Sequence, residues 1–433
     1  MSSINGINTA DIDNINGLGV NHGVPVGTSG VLWTNPLFVA ERPTSGLNIT
    51  GQTRVNSWQF STRTDIIDIK YSLYSTFALS SANVLYSSTY PTQKQNIGRP
   101  SGLTDSEYAE LGESLTNVAK FAPSFNVCFA VKTDGTLWWC GQGNQYITTS
   151  GSGQGTTNSF YGWLQYGTDT DWVDVVGFAS YPYTVLAIKG SAGSQYLHGA
   201  GYNANYRTGQ GTTSGIVYDF ARVKSGAAVD WSASISKVAM DSNVAIAVTE
   251  SGELYTWGEG QNGTLGTGTL TDYLYPNQIG VDTDWQIPFA EARASYVIKT
   301  DGTLWACLQS NTYFRIIGNG GVPTLTFNQV GTDTDYEYIT TMGSVSPNVD
   351  NRGLICAKKN GSWYVNAALK VGDWSQTLVD IYDTYSGIDT WYAYNDALQA
   401  NDVTKSINFL SPTAEQFQSS LYGQGIIVAL AAT

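Results

Sequence analysis

Three pairs of aspartates stand two residues apart, Asp169 with Asp171, Asp282 with Asp284 and Asp333 with Asp335, and an aromatic residue follows each pair at once. Carboxylates at that spacing could line a Ca²⁺ loop or act as a paired general acid and base. Repetition argues against catalysis, because an active site is one asymmetric constellation rather than a motif met three times. The expectation is that these acids cap turns by bonding their own backbone. Weak Ca²⁺ binding is the alternative.

Other chemistry-bearing residues are thinly supported. The run GEGQNG at 258–263 has the glycines of a phosphate cradle but neither a following Lys-Ser/Thr nor a helix N-terminus. His198 follows a strand-like run without a nucleophile motif, so a packed or rim position is expected. His22 and His198 are far apart and no CxxC occurs, which leaves no zinc pattern. Cys140 and Cys307 fill the slot that Trp257 fills in a related segment (LWWC, LWAC, LYTW), a packing position. Cys128 lies across the same hairpin. A two-residue turn at Asp134 and Gly135 would set Cys140 opposite Phe129, so buried free thiols are expected rather than a disulfide. No catalytic residue, metal ligand or cofactor is expected.

The elements that carry these residues repeat. KTDGTLW occurs at 132–138 and again at 299–305, with a looser copy, ESGELYTWG, at 250–258. The slot of the Leu recurs at Leu32, Leu85, Leu137, Leu197, Leu254, Leu304 and Trp363, in steps of 50 to 60 residues. That step is longer than a hairpin and matches one four-stranded propeller blade. A β-branched or aromatic run precedes each turn (FAVK, VLAIK, AIAVT, YVIK), and alternation there predicts strands half-buried between neighbouring sheets. In Thr133-Asp134-Gly135 and Thr300-Asp301-Gly302 the Asp caps the turn and the Gly accepts a positive φ. After each Leu-aromatic strand come Gly-rich loops (141–157, 199–213, 258–269), then a blade entry: GTDTDW, VDTDW, GTDTDY or the shorter AVDW.

That order resembles the RCC1-like repeat family, best kept at 250–269. The resemblance spans roughly residues 28–400 and implies a seven-bladed β-propeller; the family's regular His before the buried strand is missing. A fold of class all-β is expected, with 1–27 as an N-terminal docking arm, 28–400 as the propeller and 401–433 as a C-terminal helix and strand extension. Val31 to Trp33 read as half of a hairpin, and a ring closed by pairing distant chain segments removes exposed edges. Residues 30–35 are therefore expected beside 380–398, where WYAY at 391–394 reads as the missing half; a separate hairpin at Asn395 to Leu398 is the alternative, which leaves the closing strand open. The apolar run 425–432 is expected to complete this chain's own fold, with an intersubunit contact as the alternative.

Composition agrees: 47 Gly, 12% aromatic and only 13% charged residues describe a turn-rich, aromatic-packed β protein. A net charge of −14, from 21 Lys and Arg against 35 Asp and Glu, disfavours a broad nucleic-acid surface. No apolar stretch is long enough to span a bilayer, and the start has no basic region before an apolar core, so neither membrane insertion nor a signal peptide is expected.

The leader at 3–20 places Ile4, Ile7, Ile12, Ile15 and Leu18 among Asn, Gly and Asp, a sparse pattern that cannot make a core alone. Its ING repeats resemble opening segments of tailed-bacteriophage structural proteins, which implies a docking arm; packing on its own propeller is the alternative. Tyr181, Tyr183, Tyr202 and Tyr206 fall in expected loops, where aromatics either contact a ligand or cover seams between blades.

These readings predict a non-enzymatic phage virion protein, made in the host cytoplasm. It would be a tail, neck or head appendage in several copies, docked on other virion proteins by its arm and displaying loops to a host glycan or protein. A cellular RCC1-like scaffold for a partner such as a small GTPase is one alternative; a propeller acting on glycans is another.

Overall fold

In the computed structural model of the chain, residues 66–342 are described apart from several breaks, the longest at 143–158 and 309–323; outside that span only strand segments between 3 and 61 and between 354 and 430 are described. Six of the seven Leu-slot residues lie on the third strand of a four-stranded antiparallel sheet, and Leu32 lies on the middle strand of a three-stranded one. The first blade comprises Ile66–Tyr71, Ser75–Ser80, Leu85–Thr89 and Gly112–Leu115. The second comprises Val118–Pro123, Val127–Lys132, Leu137–Gln142 and Ser159–Tyr166. The third runs Trp172–Gly177, Thr184–Ser191, Ser194–Tyr202, Ile216–Arg222, and the fourth Ile235–Met240, Val244–Thr249, Leu254–Gly258, Tyr273–Gln278. The fifth runs Trp285–Glu291, Ala294–Lys299, Leu304–Leu308, Thr324–Gln329, and the sixth Tyr336–Met342, Leu354–Lys359, Ser362–Asn366, Trp391–Ala393. The fold is an all-β, seven-bladed propeller.

The seventh blade joins distant parts of the chain. Leu32–Thr34 pairs on one side with Gln59–Ser61 and on the other with Ala429–Leu430, with Leu32 opposite Leu430. Leu32 thus holds the third-strand slot, and the 429–430 segment holds the second-strand slot that Val131 holds against Leu137 in the second blade. This corrects the expected closure by 380–398: Trp391–Ala393 is the fourth strand of the sixth blade, on Ser362–Asn366. The apolar C-terminal run suits this place because a second strand lies between two neighbours and two blades, where most side chains are buried and apolar. The register also fixes direction. The chain entering Leu32, and the chain leaving Leu430, lie on the side of the ring where the other blades carry their second-to-third-strand turns.

The second strands are buried on both faces, not half-buried as alternation suggested. Alternate residues serve opposite seams: Val127, Phe129 and Val131 pack against Trp172 and Val175 of the third blade, whereas Cys128 and Ala130 pack against Phe77 and Leu79 of the first. Ala245 and Ala247 face back to the third blade, while Val244, Ile246 and Val248 face forward to the fifth. In these two strands the side turned toward the preceding blade is the smaller, which lets wedge-shaped sheets close on an axis. Apolar burial of this kind stabilises by roughly 25 cal/mol per Å², and the seams are where the core lies.

Turn register is the second correction. Val131 pairs with Leu137 and Lys132 N donates to Thr136 O at 2.9 Å, so the loop has three residues, 133–135, rather than two. Gly135, at φ 78°, ends a tight turn with a bulge. Gly252 and Gly302 repeat it, and Asn83 takes the same left-handed position at φ 60° in the first blade. The extra residue shifts every pair in the second-blade hairpin by one, and Cys128, not Phe129, stands opposite Cys140.

Candidate functional site

On the turn side of the ring the repeated DGTLW residues form a hydrogen-bonded chain. Trp138 Nε1 donates to Thr136 Oγ1 at 2.8 Å, and that hydroxyl donates to Asp134 Oδ1 at 2.6 Å; Thr136 N reaches the same oxygen at 3.0 Å. Trp305, Thr303 and Asp301 repeat it at 2.9, 2.7 and 2.9 Å. The turn-capping expected of Asp134 and Asp301 is what the structure holds. Hydrogen bonds from the Thr hydroxyl and then the Thr N–H hold both carboxyls below the usual range. In the looser copy Ser251 Oγ donates to Glu253 Oε2 at 3.0 Å, and Tyr255 OH turns instead to Gln278 Oε1 at 3.3 Å.

Two of the three Asp-Thr-Asp pairs behave differently from the expectation. Asp282 Oδ2 and Asp284 Oδ1 grip Lys299 Nζ at 2.6 and 3.0 Å, and the ammonium sits 4.3 and 4.7 Å from the rings of Trp285 and Trp305. Asp169 and Asp171 hold Lys189 at 2.6 and 3.6 Å, beside Trp172 at 5.3 Å. These acids clamp the lysine at the end of the second strand of their own blade, so the role is an ion pair rather than a cap on their own backbone. Burial lowers the Lys299 pKa, but the bonds to Asp282 and Asp284 outweigh it and leave the ammonium above its ordinary value. A lysine in that place does the work a bound cation would do. Among the described residues no group of three or more His, Cys, Asp and Glu is gathered to hold a metal.

A shallow cleft of about 360 Å³ opens on this side between the fourth and fifth blades, lined in part by Lys237, Glu250, Ser251, Trp285 and Gln286. Glu250 is already committed across the previous seam, accepting from Gly193 N at 2.9 Å and Ser234 Oγ at 2.8 Å. The cleft offers a hydrogen-bonding surface.

On the opposite side the third-to-fourth-strand loops bond within themselves and to the next blade. Asn203 Oδ1 accepts from Thr208 Oγ1 at 2.6 Å while its Nδ2 donates to Thr212 O at 2.8 Å. Asn205 Nδ2 donates to Asn243 Oδ1 at 2.9 Å, and Gly260 N donates to Asp272 Oδ1 at 2.8 Å. Burial, aided by the Asp272 charge, raises the Glu259 pKa against the pull of Arg207. The slot shared by Cys140, Trp257 and Cys307 has a common task here. Each donates to a main-chain carbonyl of the segment following the third strand of the preceding blade: Asn96 at 3.6 Å, Arg207 at 3.0 Å and Thr264 at 3.2 Å. A packing slot is also a blade-to-blade bond.

The sequence-predicted residues are scattered rather than gathered. Ile4 and Ile7 face each other across a two-stranded pairing of Ser3–Ile4 with Ile7–Asn8; Ile12, Ile15 and Leu18 lie outside the described residues, as do Tyr181 and Tyr183. Tyr202 is half-buried against the seam of the second and third blades, and Tyr206 is half-buried in the loop with φ 59°. His198 is packed edge-on against Trp172 at 5.7 Å, and burial lowers its pKa. The lysines were missed by sequence reading, although Lys189 and Lys299 occupy the same slot after their β-branched runs. Among the described residues no helix is long and apolar enough to cross a membrane.

Comparison with known proteins agrees with the repeat reading. The family model described as "Regulator of chromosome condensation (RCC1) repeat" matches residues 251–287. No curated protein sequence matches the chain. Human WBSCR16 is similar in structure, with a TM-score of 0.57 at 13% identity, covering 78% of this chain and 89% of that one. Prp20p from Saccharomyces cerevisiae, described with its binding properties to Gsp1p and histones, gives 0.56 at 13% identity over 78% of this chain and 81% of that one. Yeast RCC1 (Prp20) bound to Kap60 gives 0.56 at 13%, over 78% of each chain. At this identity the likeness is one of fold: the chain is a β-propeller similar to those of the RCC1 structures, with one RCC1-type repeat matched.

Proposed function

We propose that the chain is a non-catalytic propeller whose work is protein contact. The observation that carries this reading is the fate of the repeated side chains. Asp134, Thr136, Trp138, Asp282, Asp284 and Lys299 are engaged in holding strands and turns together, so the residues with the strongest chemical character are structural. The similar structures point the same way, since Prp20p is described by its binding to Gsp1p and histones and yeast RCC1 in complex with Kap60.

The setting proposed is a tailed-phage particle, supported by the likeness of residues 3–20 to phage leaders. The arm docks on another virion protein and the disk displays its loops, to a host glycan or protein. Removing residues 1–27 tests this: the ring should fold, with an unchanged unfolding midpoint, and fail to enter particles. Loss of folding, or normal incorporation, would sink the arm as a docking device. A cellular scaffold is the second reading, favoured by the described binding of Prp20p to Gsp1p, and direct binding of a small GTPase by the purified ring would select it.

A further inference from the structure

We propose that the turn-side cleft between the fourth and fifth blades binds an acidic sugar, a hexuronic acid unit of a glycan, and that Lys237 takes its carboxylate. The chain has 35 Asp and Glu against 21 Lys and Arg, so its cations have carboxylates to spare as partners. Lys70, Lys94 and Lys224 each hold one, as do the clamped lysines of the third and fifth blades, and Arg222 donates to the carbonyl of Trp231. Among the described residues Lys237 is the one cation whose side chain has no hydrogen bond, ion pair or ring contact, and it is exposed on the cleft wall.

The backbone places it there. Pairing shifts between Ile235 and Lys237 in the first strand of the fourth blade, and between Trp285 and Ile287 in that of the fifth. Bulges of this kind re-aim side chains out of the ladder, and Ser236, Lys237 and Gln286 are exposed along the cleft. The fourth blade also lacks the clamp: Thr249 stands opposite Ile235, where Lys189 and Lys299 stand opposite Trp172 and Trp285, and Thr249 forms part of the cleft wall.

The free groups suit a hydroxylated acid. Asp282 and Asp284 are occupied by Lys299, and Glu250 accepts from Gly193 N and Ser234 Oγ across the previous seam. Among the described residues nothing bonds to the side chains of Thr283, Gln286 and Thr300, which also line the cleft. Hydroxyl and amide groups both donate and accept, as sugar hydroxyls do, while an ammonium only donates and matches a carboxylate. A volume of about 360 Å³ lies near the lower end for small-ligand clefts, room for one sugar ring. Trp285 is only 4% exposed, so polar contacts rather than stacking would hold the ring. The glycan source rests on the reading of the ring as a contact disk; the cleft is assayed on the purified chain, so failure there leaves docking by residues 1–27 untouched.

The test titrates the full chain at low salt with the methyl glycoside of glucuronic acid, methyl glucoside, acetate, and an end-blocked peptide carrying one Glu. Saturation-transfer NMR reads binding, and protection of lysine amines from acetylation, mapped by mass spectrometry, reads its place. The glucuronide should protect Lys237 and bind about tenfold or more tighter than the glucoside, the scale of one hydrogen bond to a charged group. Lys237→Met should abolish that preference and Lys237→Arg retain it. No protection of Lys237, equal binding of glucuronide and glucoside, or protection by acetate as strong as by the glucuronide would overturn the proposal. Stronger protection by the peptide would overturn it too, by assigning the cleft to a protein carboxylate. Protection is read on the parent chain, so the conclusion survives if Lys237→Met fails to fold.

Discussion

The main-chain carbonyl of Gly135, in the turn of the second blade, accepts the N–H of Trp172, the first strand residue of the third, at 3.0 Å. The same bond links Asn83 to Val118 at 2.8 Å, Gly252 to Trp285 at 3.1 Å and Gly302 to Tyr336 at 3.0 Å. Each turn thus holds the next blade by its entry, and the motif that drew attention as possible chemistry is a joint.

The joint explains why its glycines are glycine. A Cβ on Gly252 would stand 2.1 Å from Thr283 O, whereas one on Gly193, with nearly the same φ, meets nothing within 4 Å. Gly193→Ala should cost about 1 kcal/mol for the left-handed backbone alone, and Gly252→Ala about 2 to 4 kcal/mol because the entry strand must move as well. Urea unfolding of the two variants measures the difference. Equal losses would mean that the turns do not carry the joint.

Replacing Lys299 by Met removes the cation that two half-exposed carboxylates and two indoles share. A loss of about 1 kcal/mol is expected, since solvent screens the outer half of the cluster, and it should shrink in high salt. The Lys299 pKa is raised, so its contribution is complete below the unfolded lysine value and is lost as pH climbs through the folded one. Ca²⁺ should stabilise neither parent nor variant. A Ca²⁺-dependent rise in the parent's unfolding midpoint would restore the metal reading.

Acid should act with the opposite sign on Asp134 and Asp301. Their folded pKa values lie below the unfolded one, near 3.9, so the stability they add is present above that value and lost as pH falls through the folded pKa. The double variant D134N and D301N should be less stable than the parent near neutrality and converge with it in acid. Thermal midpoints down to about pH 2 would show it; a constant gap would assign the loss to packing.

Much of this was legible in the sequence. Leu137, Leu254, Leu304 and their relatives announced seven third strands because each blade must bury the same slot. The turn loop was misread by one residue, since Asp134-Gly135 suits both a two-residue turn and a three-residue turn with a bulge, and only the strand pairing separates them. That one residue also hid that Cys128 stands opposite Cys140. The Asp-Thr-Asp acids looked like caps because Lys189 and Lys299 lie 18 and 15 residues downstream of the nearer Asp, beyond any local pattern. Closure was misassigned because WYAY and GIIVALAA both read as strands, and the choice between a fourth and a second strand depends on burial in the assembled ring.

Closure has its own test. Joining Ala431 to Val31 through a three-residue turn copied from Thr133-Asp134-Gly135, so that five residues separate Leu430 from Leu32 as they separate Val131 from Leu137, with new ends at Ala192 and Gly193, should give a chain that folds and unfolds cooperatively. Aggregation or a non-cooperative transition would tell against the pairing of Ala429–Leu430 with Leu32–Thr34.

Imaging intact particles from the source sample by electron cryomicroscopy tests the central claim of a protein-contact disk most directly. A seven-bladed disk should be attached to the particle, with the turn side, where the chain enters Leu32, facing the body. Particles that lack this chain altogether would contradict the account.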